Sequence, residues 1–368
     1  MRIVFYTVLF VFFTFLFTTY QALSDKHSLQ DINSANAESN EKFLLGPPEQ
    51  DGPVVVVAYF ELHDINEIHD EVDTFEFSGV LTLTWRDPRQ AFDPKITGVN
   101  EKIFQGNFQF AEVATRWYPQ VFLVNEAGLY EINGITLRVL PDGMSTLIQT
   151  INATAEVRLD LQKFPFDKQR LDAIFELVGF DKNEVLLKSV FDYTEPIKTL
   201  FPTPQWSVTN ITQTASDFYS YYSGALGVSS AFVVSVGVKR KPSYIVRLVI
   251  VPMIVIVILS FTVFWMDKSS LGDRLNVSFI GILTGFAYLL VTSDHLPKIS
   301  YFTLVHGFLN ISYITMCATV VINLIVGTLD KKGKREAGDR VDEVCRWVFP
   351  LAYFGLLITM YLVVTLFF

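Results

Sequence analysis

Cysteine is almost missing from this chain: 368 residues carry only Cys317 and Cys345, both in or beside the apolar runs of the C-terminal third. The long stretch before them can hold no disulfide and must be stabilised by core packing. Charge is scarce as well, at 18% of residues, and its balance is acidic, with a net charge of −9. That excludes the basic footprint of a nucleic-acid-binding protein. Before Pro242 there is no cluster of metal ligands, no phosphate-cradling glycine loop, no Gly-x-Ser-x-Gly elbow and no zinc-binding histidine pair. An enzyme would have to be assembled from scattered carboxylates, so we expect no enzymatic activity, no metal and no cofactor.

Apolar residues are abundant, at 50% of the chain with a mean hydropathy of +0.34, which is too much for an ordinary water-soluble protein. They are also unevenly spread. The opening MRIVFYTVLFVFFTFLF has one basic residue, then an apolar core, then the small residues Ala22-Leu23-Ser24. This is the layout of a secretory signal peptide, predicted at 1–24, with a retained anchor as the alternative. Residues 25–52 are polar, end in Gly46-Pro47-Pro48, and are read as a flexible leader.

From 53 to 241 the pattern is that of strands. Phe75, Phe77, Leu81, Leu83 and Trp85 alternate with Glu76, Ser78, Thr82 and Thr84, the period of a half-buried strand, and Leu171, Ala173, Phe175 and Leu177 repeat it. Breaks such as Asp87-Pro88, Pro141-Asp142-Gly143 and Pro202-Thr203-Pro204 separate the strands. The spacing predicts an exported, all-β, immunoglobulin-like sandwich of about ten strands. Between two of them, Phe218, Tyr219, Tyr221 and Tyr222 crowd one loop, either as sheet packing or as a cage for a cation or small ligand.

Long apolar runs begin only after Pro242, which predicts an all-α membrane domain over 242–368. Its spans are about 244–266, 274–293, 302–329 and 346–368. The linker 330–343 carries Lys331, Lys332, Lys334, Arg335 and Arg340, which marks it as cytoplasmic. Four crossings then put the C-terminus outside together with the sandwich. The second span is unlike the others. On a helix Asn276, Ile280, Leu283, Ala287, Leu290 and Asp294 form one stripe, polar at one end, apolar in the middle and acidic at the other. Such a stripe suits a wall of a water-filled hole, although Asn276, Ser278 and Thr284 could also bond to neighbouring helices. His69, His295 and His306 lie near the predicted boundary between sandwich and membrane, where a histidine is either structural or a proton sensor.

Several motifs, in order, carry a resemblance. Trp85-Arg86-Asp87 and Ala91-Phe92-Asp93-Pro94, then Trp117-Tyr118-Pro119, Phe164-Pro165-Phe166-Asp167, Pro252 and Gly272-Asp273-Arg274 with Leu283 and Pro297 occur in the spacing of one family. The chain from Val54 to Phe368 resembles a pentameric ligand-gated ion channel of the prokaryotic type, related to the nicotinic acetylcholine receptor superfamily. It departs from the animal members in lacking the disulfide around the Phe164–Asp167 loop, the vicinal cysteines of acetylcholine-binding subunits in 217–230, and a long cytoplasmic linker.

The resemblance implies a homopentamer in a plasma membrane, a bacterial inner membrane, conducting monovalent cations. Asp273, Asn276, Ile280, Leu283, Ala287, Leu290 and Asp294 would line its pore, with Arg274 turned away. Asp70, Asp73, Phe164, Pro165, Phe166, Asp167, Arg240 and Pro297 would couple sandwich to helices, Arg240 pairing with Asp167 and Asp70. A small-molecule agonist, an amine or aromatic compound, would sit between subunits against Phe180, Tyr219, Tyr221, Tyr222 and Phe77. Alternatively, protons acting on His69, His295 or His306 would open it. A membrane-anchored periplasmic sensor without conduction is the competing reading.

Overall fold

The structure is a computed structural model and describes residues 46–110, 117–190, 204–219, 227–266 and 271–367. The signal segment 1–24 and most of the leader 25–52 lie outside the described residues, as do Tyr221 and Tyr222.

Ten strands form two sheets. They are β1 (Val54–His69), β2 (Thr74–Arg86), β3 (Lys102–Gln105), β4 (Val121–Leu123), β5 (Glu126–Val139), β6 (Met144–Glu156), β7 (Lys168–Leu177), β8 (Val185–Ser189), β9 (Trp206–Tyr219) and β10 (Val228–Arg240). One sheet runs β3-β5-β6-β2-β1-β8 and the other β4-β7-β10-β9. The alternation that predicts strands also fixes their inner faces: Phe60, Phe77, Leu81, Leu83 and Trp85 are buried from the first sheet, and Phe175, Phe232, Val234 and Val236 from the second. Phe60 bridges the layers, with ring centroids 5.8 Å from Phe77 and 5.7 Å from Phe175. Its backbone needs help, because β8 pairs with β1 only as far as Ala58. Gln213 on β9 supplies it, accepting from the Phe60 N–H at 2.9 Å and donating to its carbonyl at 2.8 Å.

At one end of β2 the chain turns around a buried carboxylate. Asp87 accepts from Arg89 Nε at 2.8 Å, Nη2 at 2.9 Å and the Arg89 N–H at 3.0 Å. The turn that packs on it needs Gly143, which has φ +83 and whose added Cβ would lie 2.4 Å from the Asp87 carbonyl oxygen. Burial pushes the Asp87 carboxyl up, but the hydrogen bonds and charge of Arg89 outweigh it and hold the group below the usual carboxylate range.

Four helices are long and apolar enough to cross a membrane. They are α1 (Ser243–Trp265), α2 (Leu271–Thr292), α3 (Leu304–Lys331) and α4 (Arg335–Phe367). Pro252 in α1 has no N–H to give the carbonyl four residues back, that of Leu248, and the helix widens to a π turn over Val246–Ile250 just before it. The hydroxyl of Tyr288 on α2 donates to that carbonyl and satisfies it.

At two boundaries the helices and the predicted spans differ. The third span starts at Leu304 rather than 302, where Thr303 caps it by accepting from the His306 N–H. The helix that holds the fourth span starts at Arg335, so most of the predicted linker 330–343 is helix. Hydropathy reports where a membrane would begin, whereas Lys, Arg and Glu are good helix formers and extend α4 beyond that point. The break is a short turn at Lys332–Lys334, with Gly333 at φ +73 and its N–H bonded to the Asp330 carbonyl.

Asp87→Asn removes an ionised acceptor with charge-assisted bonds, and we expect a loss of about 1.5–3 kcal/mol of sandwich stability, read as a lower Tm in thermal denaturation. Because the folded-state pKa of Asp87 is depressed, its stabilisation is present above the unfolded value and is lost as pH falls through the folded one. The gap between wild type and variant should therefore close in acid, below about pH 4. An equal Tm at pH 7 would contradict this.

Candidate functional site

The predicted stripe lies on the part of α2 left uncovered by its own chain, which also exposes Phe279, Phe286 and Val291. Asp273, Asn276, Ala287 and Asp294 are exposed, and Ile280, Leu283 and Leu290 are 62%, 70% and 75% exposed. The opposite face carries the buried Arg274, Ser278, Gly285 and Thr292. That face is where polar groups find partners. Ser278 accepts from Asn323 Nδ2 of α3 at 2.9 Å, and the Gly285 carbonyl accepts from the Tyr313 hydroxyl at 2.8 Å. Ser278 thus bonds to a neighbouring helix, while Asn276 and Thr284 stay on the exposed side.

Arg274 follows Asp273 in sequence but points the other way. It is 1% exposed and makes a two-pronged pair with Asp342 of α4, Nη2 to Oδ1 at 2.8 Å and Nη1 to Oδ2 at 3.0 Å. Asp342 was not among the residues singled out from the sequence, although a signal was there. It belongs to an inward-facing stripe of α4 with Cys345, Phe349 and Tyr353, in which a buried carboxylate asks for a cation.

Where the last strand meets the first helix, Arg240 holds three segments together. Its Nε donates to Asp167 Oδ1 at 2.8 Å and its Nη2 to Asp70 Oδ1 at 2.9 Å. Its guanidinium lies 4.0 Å from the Trp206 ring centroid and 4.8 Å from that of Phe164. Asp167 is 1% exposed and also accepts from Gln169 Nε2 at 2.7 Å. The β1–β2 turn reaches the loop after α2 through Glu71 and Lys298, 3.1 Å apart. The loop before β7 is tied to the start of α3: the Tyr301 hydroxyl accepts from the Leu161 N–H at 3.0 Å, and the Leu304 N–H donates to the Gln162 carbonyl at 3.0 Å. Phe166 sets its ring edge to Tyr361 of α4 at 6.0 Å. Pro297 is buried in the same junction. Asp73 contributes backbone instead of charge: at φ 52 it turns the chain, its carboxylate is exposed, and its carbonyl accepts from the Val157 N–H.

The three histidines find different partners. His69 sits between Glu67 at 3.8 Å and Glu76 at 3.5 Å, His295 contacts the Tyr244 hydroxyl at 3.4 Å, and His306 contacts the Thr303 hydroxyl at 2.9 Å.

Of the predicted aromatic cage, Tyr219 and Phe180 are among the described residues. Tyr219 is 82% exposed at the end of β9, and Phe180 is half-buried with its ring 6.0 Å from Trp117. Phe77 is a correction. It is 2% exposed and packs on Phe60 and Phe75 inside the sandwich, so it cannot meet a ligand at the surface. Strand alternation explains this, since the outward residues of β2 are its neighbours Glu76 and Ser78.

Residues 40–242 match the neurotransmitter-gated ion-channel ligand binding domain, and residues 249–339 match the neurotransmitter-gated ion-channel transmembrane region. The chain is 23% identical over 307 residues to a proton-gated ion channel of Gloeobacter violaceus, covering 83% of this chain and 82% of that one. It is 26% identical to pH-sensitive chloride channel 2 of Anopheles gambiae, covering 68% of this chain and 42% of the mosquito protein. It is 23% identical to the human gamma-aminobutyric acid receptor subunit rho-3, over 83% of this chain and 64% of the subunit. This chain therefore spans less than two thirds of the length of those two animal relatives.

Asp167→Ala would leave the Arg240 charge buried with half its compensation gone, a cost of about 3–5 kcal/mol for pairs of this kind. Asp70, at 20% exposure, keeps more water around it. We expect Asp70→Asn to cost less than half as much, about 1–2 kcal/mol. Thermal denaturation of the detergent-purified variants checks the ranking, and equal losses would contradict it.

Proposed function

Because the chain belongs to the neurotransmitter-gated ion-channel family, we propose that it is a homopentameric, cation-selective channel of a bacterial inner membrane, with sandwich and C-terminus outside. The observation that carries this reading is the uncovered stripe of α2. Five copies around an axis would cover one another's exposed Ile280, Leu283 and Leu290, forming an apolar constriction that closes by dewetting. Asp273 and Asp294 would become rings of carboxylates at its two mouths, which concentrate cations and repel anions. Family membership leaves the sign of the ion open, since one relative is a chloride channel. The residues favour cations: the nearest fixed positive charge to Asp273 on this helix is Arg274, and it is buried and paired.

A proton trigger is supported by two relatives, one proton-gated and one pH-sensitive, and by the position of His69. Protonating an imidazole between two carboxylates turns both contacts into ion pairs. Those contacts brace the strand that carries Asp70 and Glu71 into the junction with Arg240 and Lys298. Opening by an amine or a small aromatic compound at Tyr219 and Phe180 is the other trigger, and it needs Tyr221 and Tyr222 beside them. A sensor without conduction would share the sandwich but has no use for a stripe acidic at both ends.

Reconstitution into a planar bilayer tests the reading. In a potassium chloride gradient, with pH and a panel of amines scanned, the reversal potential should lie on the cation side, and a reversal on the chloride side would overturn cation selectivity. Leu283→Thr should raise the resting current at least about tenfold, which needs only ~1.4 kcal/mol off the dewetting barrier. His69→Gln should shift the midpoint of the pH response, and an unmoved curve would remove His69 from the mechanism.

A further inference from the structure

We infer that Asp342, on the last helix and outside the pore, is a positioning residue for ion selectivity: it holds Arg274 out of the inner mouth, so that Asp273 faces the ions alone. The inference rests on the cation-channel reading above and deepens it.

Asp273 and Arg274 are consecutive in the first turn of α2, one helical step of about 100° apart. One is exposed on the stripe and the other is buried against α4. An arginine side chain beside the mouth of a water-filled hole would ordinarily extend into that water. Here the two-pronged pair with Asp342 holds it inward, both carboxylate oxygens being used. Among the described residues the Arg274 Nε has no hydrogen-bond partner, so the buried guanidinium depends on this one carboxylate for its compensation. Asp342 is itself only 3% exposed and lies on the inward face of α4 with Cys345, Arg346 and Phe349, where an uncompensated carboxylate would be costly. Both members of the pair are thus withdrawn from water. Asp342 also lies beyond the residues, 249–339, that match the family's transmembrane region.

Removing the carboxylate leaves a buried, unpaired cation, which relaxes by swinging to water. The exposed face of the same turn of α2 carries Asp273, so the freed guanidinium reaches water beside it. Each subunit would then place one positive charge next to one negative charge there, and the ring would lose its preference for cations. Selectivity would have changed through a residue on another helix that no ion touches.

The test is the potassium-to-chloride permeability ratio, from reversal potentials in a salt gradient, for wild type, Asp342→Asn, Arg274→Gln, the double variant and Asp342→Glu. Wild type should be cation-selective. Asp342→Asn should lower the ratio at least fivefold. Arg274→Gln and the double variant should stay within about twofold of wild type, because neither has a guanidinium to release, and Asp342→Glu should keep most of the ratio. A merely structural Asp342 would impair Asp342→Asn and the double variant alike, so an unrescued double variant overturns the inference. So does an assembled Asp342→Asn with an unchanged ratio. Should homomeric Asp342→Asn fail to assemble, pentamers mixed with wild-type subunits and purified through a tag on the variant subunit should show a graded fall in the ratio, and an unchanged ratio there is equally fatal. A wild type that is silent or chloride-selective removes the reading beneath the inference before any variant is measured.

Discussion

Hydrocarbon offers no partner to a polar group, so every hydroxyl, carbonyl and charge on a membrane helix must bond within the protein or face water. The four helices are arranged by that constraint. Pro252 frees the Leu248 carbonyl, and Tyr288 satisfies it. Ser278 bonds to Asn323, and Arg274 to Asp342. Once these are paired, Asp273, Asn276 and Asp294 remain exposed on α2 with Ile280, Leu283 and Leu290 between them. Carboxylates at both ends of an apolar face are costly against lipid.

The same reasoning explains how the sandwich holds the helices. Arg240 stands where the last strand becomes the first span, and it binds the β1–β2 turn through Asp70 and the 164–167 loop through Asp167. That loop in turn is fastened to α3 through Tyr301 and the Leu304 N–H, and touches α4 through Phe166. Displacing any one of these segments breaks bonds to charged or buried groups in the others. The sandwich and the helix bundle are therefore joined by one continuous set of contacts.

Much of this was legible from the sequence because it follows from periodicity. Alternation along Phe75 to Trp85 marks a half-buried strand, and steps of three and four from Asn276 to Asp294 mark the uncovered face of α2. Periodicity also gives inward from outward, and applying it consistently would have kept Phe77 in the core and out of the ligand site. Other features depend on which elements become neighbours. That Tyr288 answers Pro252, or Glu71 meets Lys298, is invisible along the chain, since each pair joins residues far apart in sequence. The helical course of 335–343 was missed for a different reason: charged residues end an apolar run without ending a helix. Asp342 could have been found, because a carboxylate in register with Cys345, Phe349 and Tyr353 asks for a cation, and among the described residues Arg274 answers.

The central claim is that the exposed face of α2 meets water in the assembled protein. Single cysteines placed at positions 276, 283 and 290, in a background with Cys317 and Cys345 replaced, test it with a charged thiol reagent applied during current recording. The account expects modification at 276 and 290, modification at 283 that speeds up when the channel is open, and a matching change in current. If no site reacts under any condition, while cysteines at Ser278 and Thr292 behave the same way, the face lies against lipid or protein and the pore is not there.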